Sequence, residues 1–515
     1  MKRILAMVLA CIMLLVVFLM AGCKDSTPKE TTGNPSSTTT PEKPGETTGN
    51  SQSTPSDEGT TAPPPSDTTT DDVDDPPIVD GLSKLPGYED VDFRGRTFVI
   101  AADDGSGDSW RSDYEIYSED ADTVSVAVRR RNDLMKALYN CNIKLIASPS
   151  PGGLATADVT GNQHTIDMYN AKYGYYNANG RYNLASFKID FTNPWWDQTF
   201  SSTFGIKDAS GNITMPYCVG DFALSAFRAT HAIIYDRTVY ENAGISDDIY
   251  ELVKTKKWTM DKFVEMIKLA AKDENGNQTF AYADGDIMGW LRTGHATHGM
   301  HAASGLSIIT NENGSLKLQM ANNAGAWNDV IDKAISVWHT AGAETLGYST
   351  VHEALKTQRT LFASEVIGTL EVVKDADVSL GLVPYPLYSE NQENYAHYVD
   401  NHLAYYCVPT SVPDIDAVAD FMELLAYHSK YIVRSAWIEQ YCYEYLGDME
   451  SAEMLDIILD TRTYDPGYLL WTYEGEISHM IETRKNNVTK FAERNVASIN
   501  KAIETHVSNL TNANR

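Results

Sequence analysis

Nine tryptophans and 29 tyrosines stand in this chain of 515 residues, and several of them sit in polar stretches between apolar runs. Trp195 and Trp196 follow Pro194 and precede Asp197. Asn170 and Tyr173 follow the apolar run at 166–169. Asp221 and Arg228 come just before another such run, and Trp290 and Trp471 stand in later loops. Flat aromatic faces beside amide and charged side chains suit a ligand with apolar C–H faces and a rim of hydroxyls, which is a sugar ring. The candidate binding set is therefore Asn170, Tyr173, Trp195, Trp196, Asp221, Arg228, Trp290 and Trp471. Each tryptophan alone also fits a core position, and Asp221 with Arg228 fits a surface ion pair. The set gains weight because its members fall where parallel strands end in loops. Trp258 is left out, since its place at a helix start fits packing.

Other chemistry is poorly represented. His295, His298 and His301 are three apart, and three imidazoles on one side of a helix can hold zinc. No carboxylate or cysteine completes a known spacing, so a polar helix edge is expected and no metal. His352-Glu353 lacks the second histidine of a zinc protease. Asp273-Glu274-Asn275-Gly276-Asn277 places oxygens as a calcium loop does, but Gln278 stands where that loop needs glycine and Asp284 where it needs glutamate. A polar turn is expected there, with calcium left open. No serine-hydrolase elbow, phosphate loop or dinucleotide glycine motif occurs. With 70 acidic residues, carboxylate pairs at glycosidase separation arise by chance and carry no weight. No enzyme and no cofactor are expected. A net charge of -29 argues against nucleic acid and anionic lipid surfaces. Cys141, Cys218, Cys407 and Cys442 are widely spaced, and spacing does not pair them.

The elements that must position these residues can be traced along the chain. The run 96–102 reads as a strand, 122–137 as a helix with Val124, Val128 and Leu134 on one side, and 142–146 as a second strand. That β-α-β opening favours a parallel sheet. Further strands are expected at 166–169, 231–235, 361–371, 381–386 and 404–408, and helices at 327–341, 415–427 and 431–446. Asn311-Glu312-Asn313-Gly314 reads as a hairpin turn, and 284–301 as a loop and helix. Thr259 is an N-cap, with Asp261 in the first turn.

Ahead of this body, Lys2 and Arg3 precede an apolar run at 4–20, the pattern of an export signal. Leu19-Met20-Ala21-Gly22-Cys23 resembles a bacterial lipobox, with Met20 where leucine is usual. It implies a signal peptide at 1–22 and lipidation of Cys23, hence a protein tethered on the outer face of a bacterial membrane. Residues 23–84 are rich in Ser, Thr and Pro and carry almost nothing to bury, so a disordered linker is expected. Its stretch 24–80, about 57 residues of flexible chain, would span roughly 40 Å.

The body itself resembles the family of extracellular solute-binding proteins that deliver sugars to ABC importers. Tyr235-Asp236, Ala243-Gly244-Ile245 and Trp258-Thr259-Met260-Asp261 stand, in order and spacing, where that family has its lobe-crossing pattern. Phe93-Arg94-Gly95-Arg96-Thr97-Phe98, the stretch 126–132, Asn193-Pro194-Trp195-Trp196-Asp197, the GLVPYP stretch at 381–386 with Gln392 and Tyr395, and 448–457 also resemble its motifs. The resemblance covers roughly 92–506. It implies an α/β, two-lobed periplasmic-binding-protein type II fold, like maltose-binding protein, with a hinge. Lobe 1 would be 85–228 and 403–460, and lobe 2 would be 229–401 and 461–515. It also implies a carbohydrate ligand, an ABC permease as partner, and a monomer. A glycan-active enzyme and a glycan-binding sensor or adhesin without transport are the alternatives.

Overall fold

A computed structural model describes residues 81–105, 116–171, 179–400, 403–470 and 474–512. Cys23, the signal and most of the tether lie outside the described residues, as do Tyr173 and Trp471. No helix among the described residues is long and apolar enough to cross a membrane.

The first sheet grows from the β-α-β opening. Strand β1 (Arg96–Asp103) leads to the helix Thr123–Tyr139 and then to β2 (Cys141–Ser148). Asp122 caps the helix by accepting the Ser125 N–H, and Asn140 ends it in a left-handed conformation, φ 54°. β1 and β2 pair in parallel over their whole length. A helix at Pro151–Gly161 follows. Pro151 stands at the helix start, where its missing N–H costs nothing. β3 (Met168–Ala171) then joins the other side of β1 in parallel.

The second sheet contains β4 (His231–Asp236), β5 (Met288–Arg292), β6 (Ala343–Thr345), β7 (Thr360–Val366) and β8 (Leu380–Val383). Its order is β6-β5-β7-β4-β8, with β4 antiparallel to both neighbours and β5 parallel to β6 and β7. β4, β5, β7 and β8 are buried at every residue, as strands covered on both faces should be. The chain then returns to the first sheet as β9 (Tyr405–Cys407), antiparallel to β3.

β5 corrects the expectation of a loop and helix at 284–301; only 296–302 is helical there. Trp258 behaves as a packing residue, fully buried with its indole N–H on the Pro384 carbonyl at 2.8 Å. The helix expected at 431–446 contains two wide π-type turns, Ser429–Arg434 and Tyr441–Leu446, around Ser435–Gln440. The helix Glu450–Asp460, assigned to lobe 1 from the sequence, packs on the second sheet: Leu455, Ile458 and Leu459 share a cluster with Leu380 and Leu382 of β8. All four cysteines of the body are buried free thiols.

Three chain segments lie side by side at the junction of the two sheets. Thr230 bridges Val399, and Asp400 N–H donates to the Ala229 carbonyl at 2.9 Å. On the other side His397–Tyr398 pairs in parallel with Arg462–Thr463. A three-ply ribbon with few residues in each ply is where a hinge can absorb backbone rotation.

Candidate functional site

In an open α/β sheet, ligands sit beyond the carboxyl ends of the parallel strands. On the second sheet those ends carry Thr293 and His295 after β5, and Glu365 near the end of β7. Because β4 runs the other way, it places its first residue, His231, at the same edge, opposite Val366. The hinge segment adds Tyr398 and Asp400. These residues come from four separate places in the chain, and only the topology joins them.

The polar atoms at this edge are unevenly satisfied. Glu365 is 1% exposed, and its Oε1 has no hydrogen-bond partner. Burial, opposed by a hydrogen bond from Thr293 and reinforced by the Asp400 charge, pushes its carboxyl up to about 8. His231 is 2% exposed, and neither ring nitrogen has a hydrogen-bond partner. Its Nε2 lies 3.7 Å from an Asp400 oxygen, and His295 Nδ1 lies 3.7 Å from the same oxygen. The Tyr348 hydroxyl reaches His295 Nδ1 at 3.1 Å. Desolvation, with His295 and His231 close by, pushes His298 down to about 3, so its ring is neutral.

Aromatic rings wall this edge. Tyr398 stands 5.2 Å from His231 and 5.2 Å from His298, centroid to centroid. His298 stands 5.7 Å from His295. Behind them His301 stacks on Trp327 at 4.5 Å and hydrogen-bonds the Tyr468 hydroxyl. Among the described residues no group of three His, Cys, Asp or Glu has the arrangement of a metal site. The histidine triplet therefore divides, with His295 at the rim and His298 and His301 packed inside. The Asp273 loop ties itself down: Asp273 accepts the Gly276, Asn277 and Gln278 N–H groups, and Asp286 accepts those of Glu274 and Ala281.

The residues singled out from the sequence land elsewhere. Trp290 lies in the middle of β5, fully buried, with its N–H on Ser364 Oγ at 2.8 Å and Phe263 and Trp338 edge-on to its ring. It is a core residue with no wet face. Trp195 and Trp196 are also buried, and both indole N–H groups donate to one carboxylate, Glu423, at 2.9 Å. Asn193 donates to that carboxylate as well, at 2.7 Å. Asp197 completes the motif by accepting the Tyr464 hydroxyl at 2.6 Å and Arg462 Nη2 at 2.9 Å. The Pro-Trp-Trp-Asp stretch is thus a bracket between the helix Ile415–His428 and the third hinge segment, and its tryptophans serve packing.

Asp221 faces Arg434 at 3.8 Å and Lys430 at 3.9 Å, on the first wide helical turn. Burial still raises its carboxyl above the usual range, against the pull of those two cations. Arg228 is fully buried with Glu371 at 3.8 Å, and Tyr441 donates to the same Glu371 oxygen at 2.6 Å. Both groups belong to the ion-paired surroundings of the hinge. Asn170 alone stands at a sheet edge of the expected kind: at the end of β3, its Oδ1 accepts the Asp103 N–H of β1 at 3.0 Å. Sequence reasoning missed His231, Glu365, Asp400 and Tyr398. One signal was present, because Glu365 is the lone charge in a strand otherwise made of apolar and small polar residues, Thr360–Val366.

No protein-family model matches the sequence, and comparison with curated proteins gives no match. Solved structures do match over most of the body. The GacH receptor of Streptomyces glaucescens, determined unliganded and with acarbose, aligns with a TM-score of 0.50 at 12% identity, over 80% of this chain and 99% of that one. A galacto-N-biose/lacto-N-biose I-binding protein of an ABC transporter from Bifidobacterium longum aligns at 0.49 and 11% identity, over 82% and 98%. A family 1 extracellular solute-binding protein from Bifidobacterium longum subsp. infantis aligns at 0.46 and 12% identity, over 80% and 98%. At these identities the likeness speaks for the fold, and the body of this chain has the two-lobed α/β fold of the maltose-binding-protein type.

Proposed function

We propose that this protein is the lipid-anchored, extracellular receptor of a sugar importer. It captures a sugar or oligosaccharide between its lobes and hands it to an ABC permease, without covalent chemistry. The observation that carries this reading is the second sheet's edge beside the hinge. There His231 and Glu365 keep buried polar atoms without hydrogen-bond partners, next to the rings of Tyr398 and His298. Such atoms are costly unless something pairs with them, and a sugar offers hydroxyls for them and C–H faces for the rings. The fold supports the reading by analogy, and the signal, Cys23 and the tether support the location.

Capture would use the hinge. A ligand that touches both lobes favours the state in which they are close, by as much as its contacts differ between the two states. A thermal-shift screen of the full chain over a carbohydrate panel tests this, with calorimetry on the hits. Stabilisation by a subset of sugars is expected, since ligand at a hundred times its Kd adds about 2.7 kcal/mol. A panel without a single stabilising sugar, or release of reducing ends from glycans, would overturn the reading.

A further inference from the structure

The charge at the candidate site narrows the ligand further, on the assumption that the site binds sugar. We propose that it selects a sugar carrying a basic nitrogen, an amino sugar or a nitrogen-containing sugar analogue, whose ammonium group sits between Glu365 and Asp400.

The first ground is the unpartnered Oε1 of Glu365, at a site 1% exposed. A buried carboxyl oxygen can be satisfied by a hydroxyl, but the partner that relieves most of its burial cost is a cation that also donates hydrogen bonds. The second ground is Asp400, a second buried carboxyl at 4% exposure, facing His231 and His295 at 3.7 Å each. The Asp400 charge acts on Glu365. The third ground is where the basic side chains of this edge go. Arg292 at the end of β5 turns between the rings of Trp290 and Trp338, 4.1 and 4.0 Å from their centroids, and donates to the Trp338 carbonyl at 2.5 Å. Arg228, before β4, faces Glu371. Arg292 Nε and Nη1 also lack hydrogen-bond partners, but neither arginine stands within ion-pair distance of Glu365. The same edge is hostile to uronic acids and sugar phosphates. The ring faces of Tyr398 and Tyr348 suit an ammonium group as well as they suit C–H groups.

Proton linkage gives this proposal its own signature. Glu365 is largely protonated near pH 7, because its carboxyl is held at about 8. The groups that face it or its partner Asp400 are Thr293 from β5, Tyr385 beyond β8, Asp400 from the hinge, and His231, His295 and His298 around Asp400. An arriving ammonium stabilises the ionised form of Glu365, so binding expels that proton to solvent. A neutral sugar accepts a hydrogen bond from protonated Glu365 and expels nothing.

The test is calorimetry on the full chain at pH 7, in two buffers of different ionisation heat. The probes are 2-amino, 3-amino and 6-amino hexoses and glucosamine oligomers, each beside its hydroxyl and N-acetyl counterpart. The expected result is at least one amino sugar that binds about tenfold or more tightly than both counterparts, with release of between about half a proton and one proton per site. Glu365→Gln should abolish the proton release and most of the preference. Asp400→Asn should reduce the preference and diminish the proton release without abolishing it, because burial is the larger cause of the raised Glu365 carboxyl. Melting curves of both variants confirm that they are folded. If neutral sugars bind and no amino sugar outbinds its counterparts, the charge inference fails and the sugar-receptor reading stands. If no saccharide of either kind binds, both fail.

Discussion

Replacing Glu365 with glutamine removes a charge that the fold must keep out of water while preserving the side chain's shape. Its carboxyl moves from its ordinary 4.5 to about 8 on folding, mainly through burial. A carboxyl raised in this way is held more tightly as the acid in the folded chain than in the unfolded one. Its contribution to stability is therefore fully present below pH 4.5, is lost as the pH climbs toward 8, and changes no further above that. From these two values the loss by pH 7 is about 3 kcal/mol. That figure is an upper bound, because local relaxation and water entry reduce it.

Glutamine carries no such dependence. The variant and the native chain should melt together near pH 4.5, and the variant should melt higher at pH 8. For a body of this size about 1 kcal/mol corresponds to about 1 °C, extrapolating the usual per-residue entropy. The expected gap at pH 8 is thus about 2–4 °C in favour of Glu365→Gln, measured without ligand. The same gap at both pH values would refute the reasoning, and so would a variant that melts lower at pH 8. Either result would mean that Glu365 is ionised and partnered in the unliganded protein.

Three further outcomes are expected. Cys23→Ser should release the protein from membranes or stall its maturation; unchanged lipid labelling and membrane fractionation would count against the anchor. Trp196→Ala should cost about 3–5 kcal/mol of stability, because it empties a core position and takes a hydrogen-bond donor from Glu423; a variant that melts normally but loses ligand would return Trp196 to the binding surface. Small-angle scattering should show a smaller radius of gyration with a cognate sugar than without one, and tight binding without compaction would argue for a rigid, lectin-like site.

The strands of both sheets were legible wherever an apolar run ended in a turn or a cap. His231–Asp236 and Cys141–Ser148 are such runs, and Thr259 caps its helix by accepting the Lys262 N–H, as its place before Asp261 suggested. β5 was not legible, because Met288–Arg292 contains neither a β-branched residue nor an alternation of apolar and polar ones. Gly289 is there for close approach: a Cβ would stand 2.1 Å from the Ile267 carbonyl oxygen of the neighbouring helix. Reading this stretch as a loop put Trp290 at the surface. The paired tryptophans misled for another reason. Two indoles in polar surroundings resemble a platform, but the carboxylate that turns them into a bracket, Glu423, lies more than two hundred residues away. The candidate site was hidden in the same way, since sequence distance separates His231, Glu365 and Asp400 and only strand order reunites them.

That reunion also ties the site to the hinge. His231 directly follows Thr230, and Asp400 directly follows Val399; Thr230 and Val399 are the two residues that bridge in the hinge ribbon. The 3.7 Å between His231 Nε2 and Asp400 is therefore set by the two backbone segments that must rotate when the lobes move. On the proposed reading, a ligand held by either side chain would act on the hinge at a distance of one residue. It needs no chain of intermediates to transmit its presence, only a difference in how well the two hinge geometries present His231 and Asp400 to it. Around this ribbon the charges are paired within the fold: Asp197 with Arg462, Asp221 with Arg434 and Lys430, and Arg228 with Glu371. Asp221 and Arg462 also keep buried polar atoms without hydrogen-bond partners, but each has an opposite charge within 4 Å, and among the described residues Glu365 has none. On the proposed reading, a ligand that pairs with Glu365 beside this hinge would put part of its binding energy into closure.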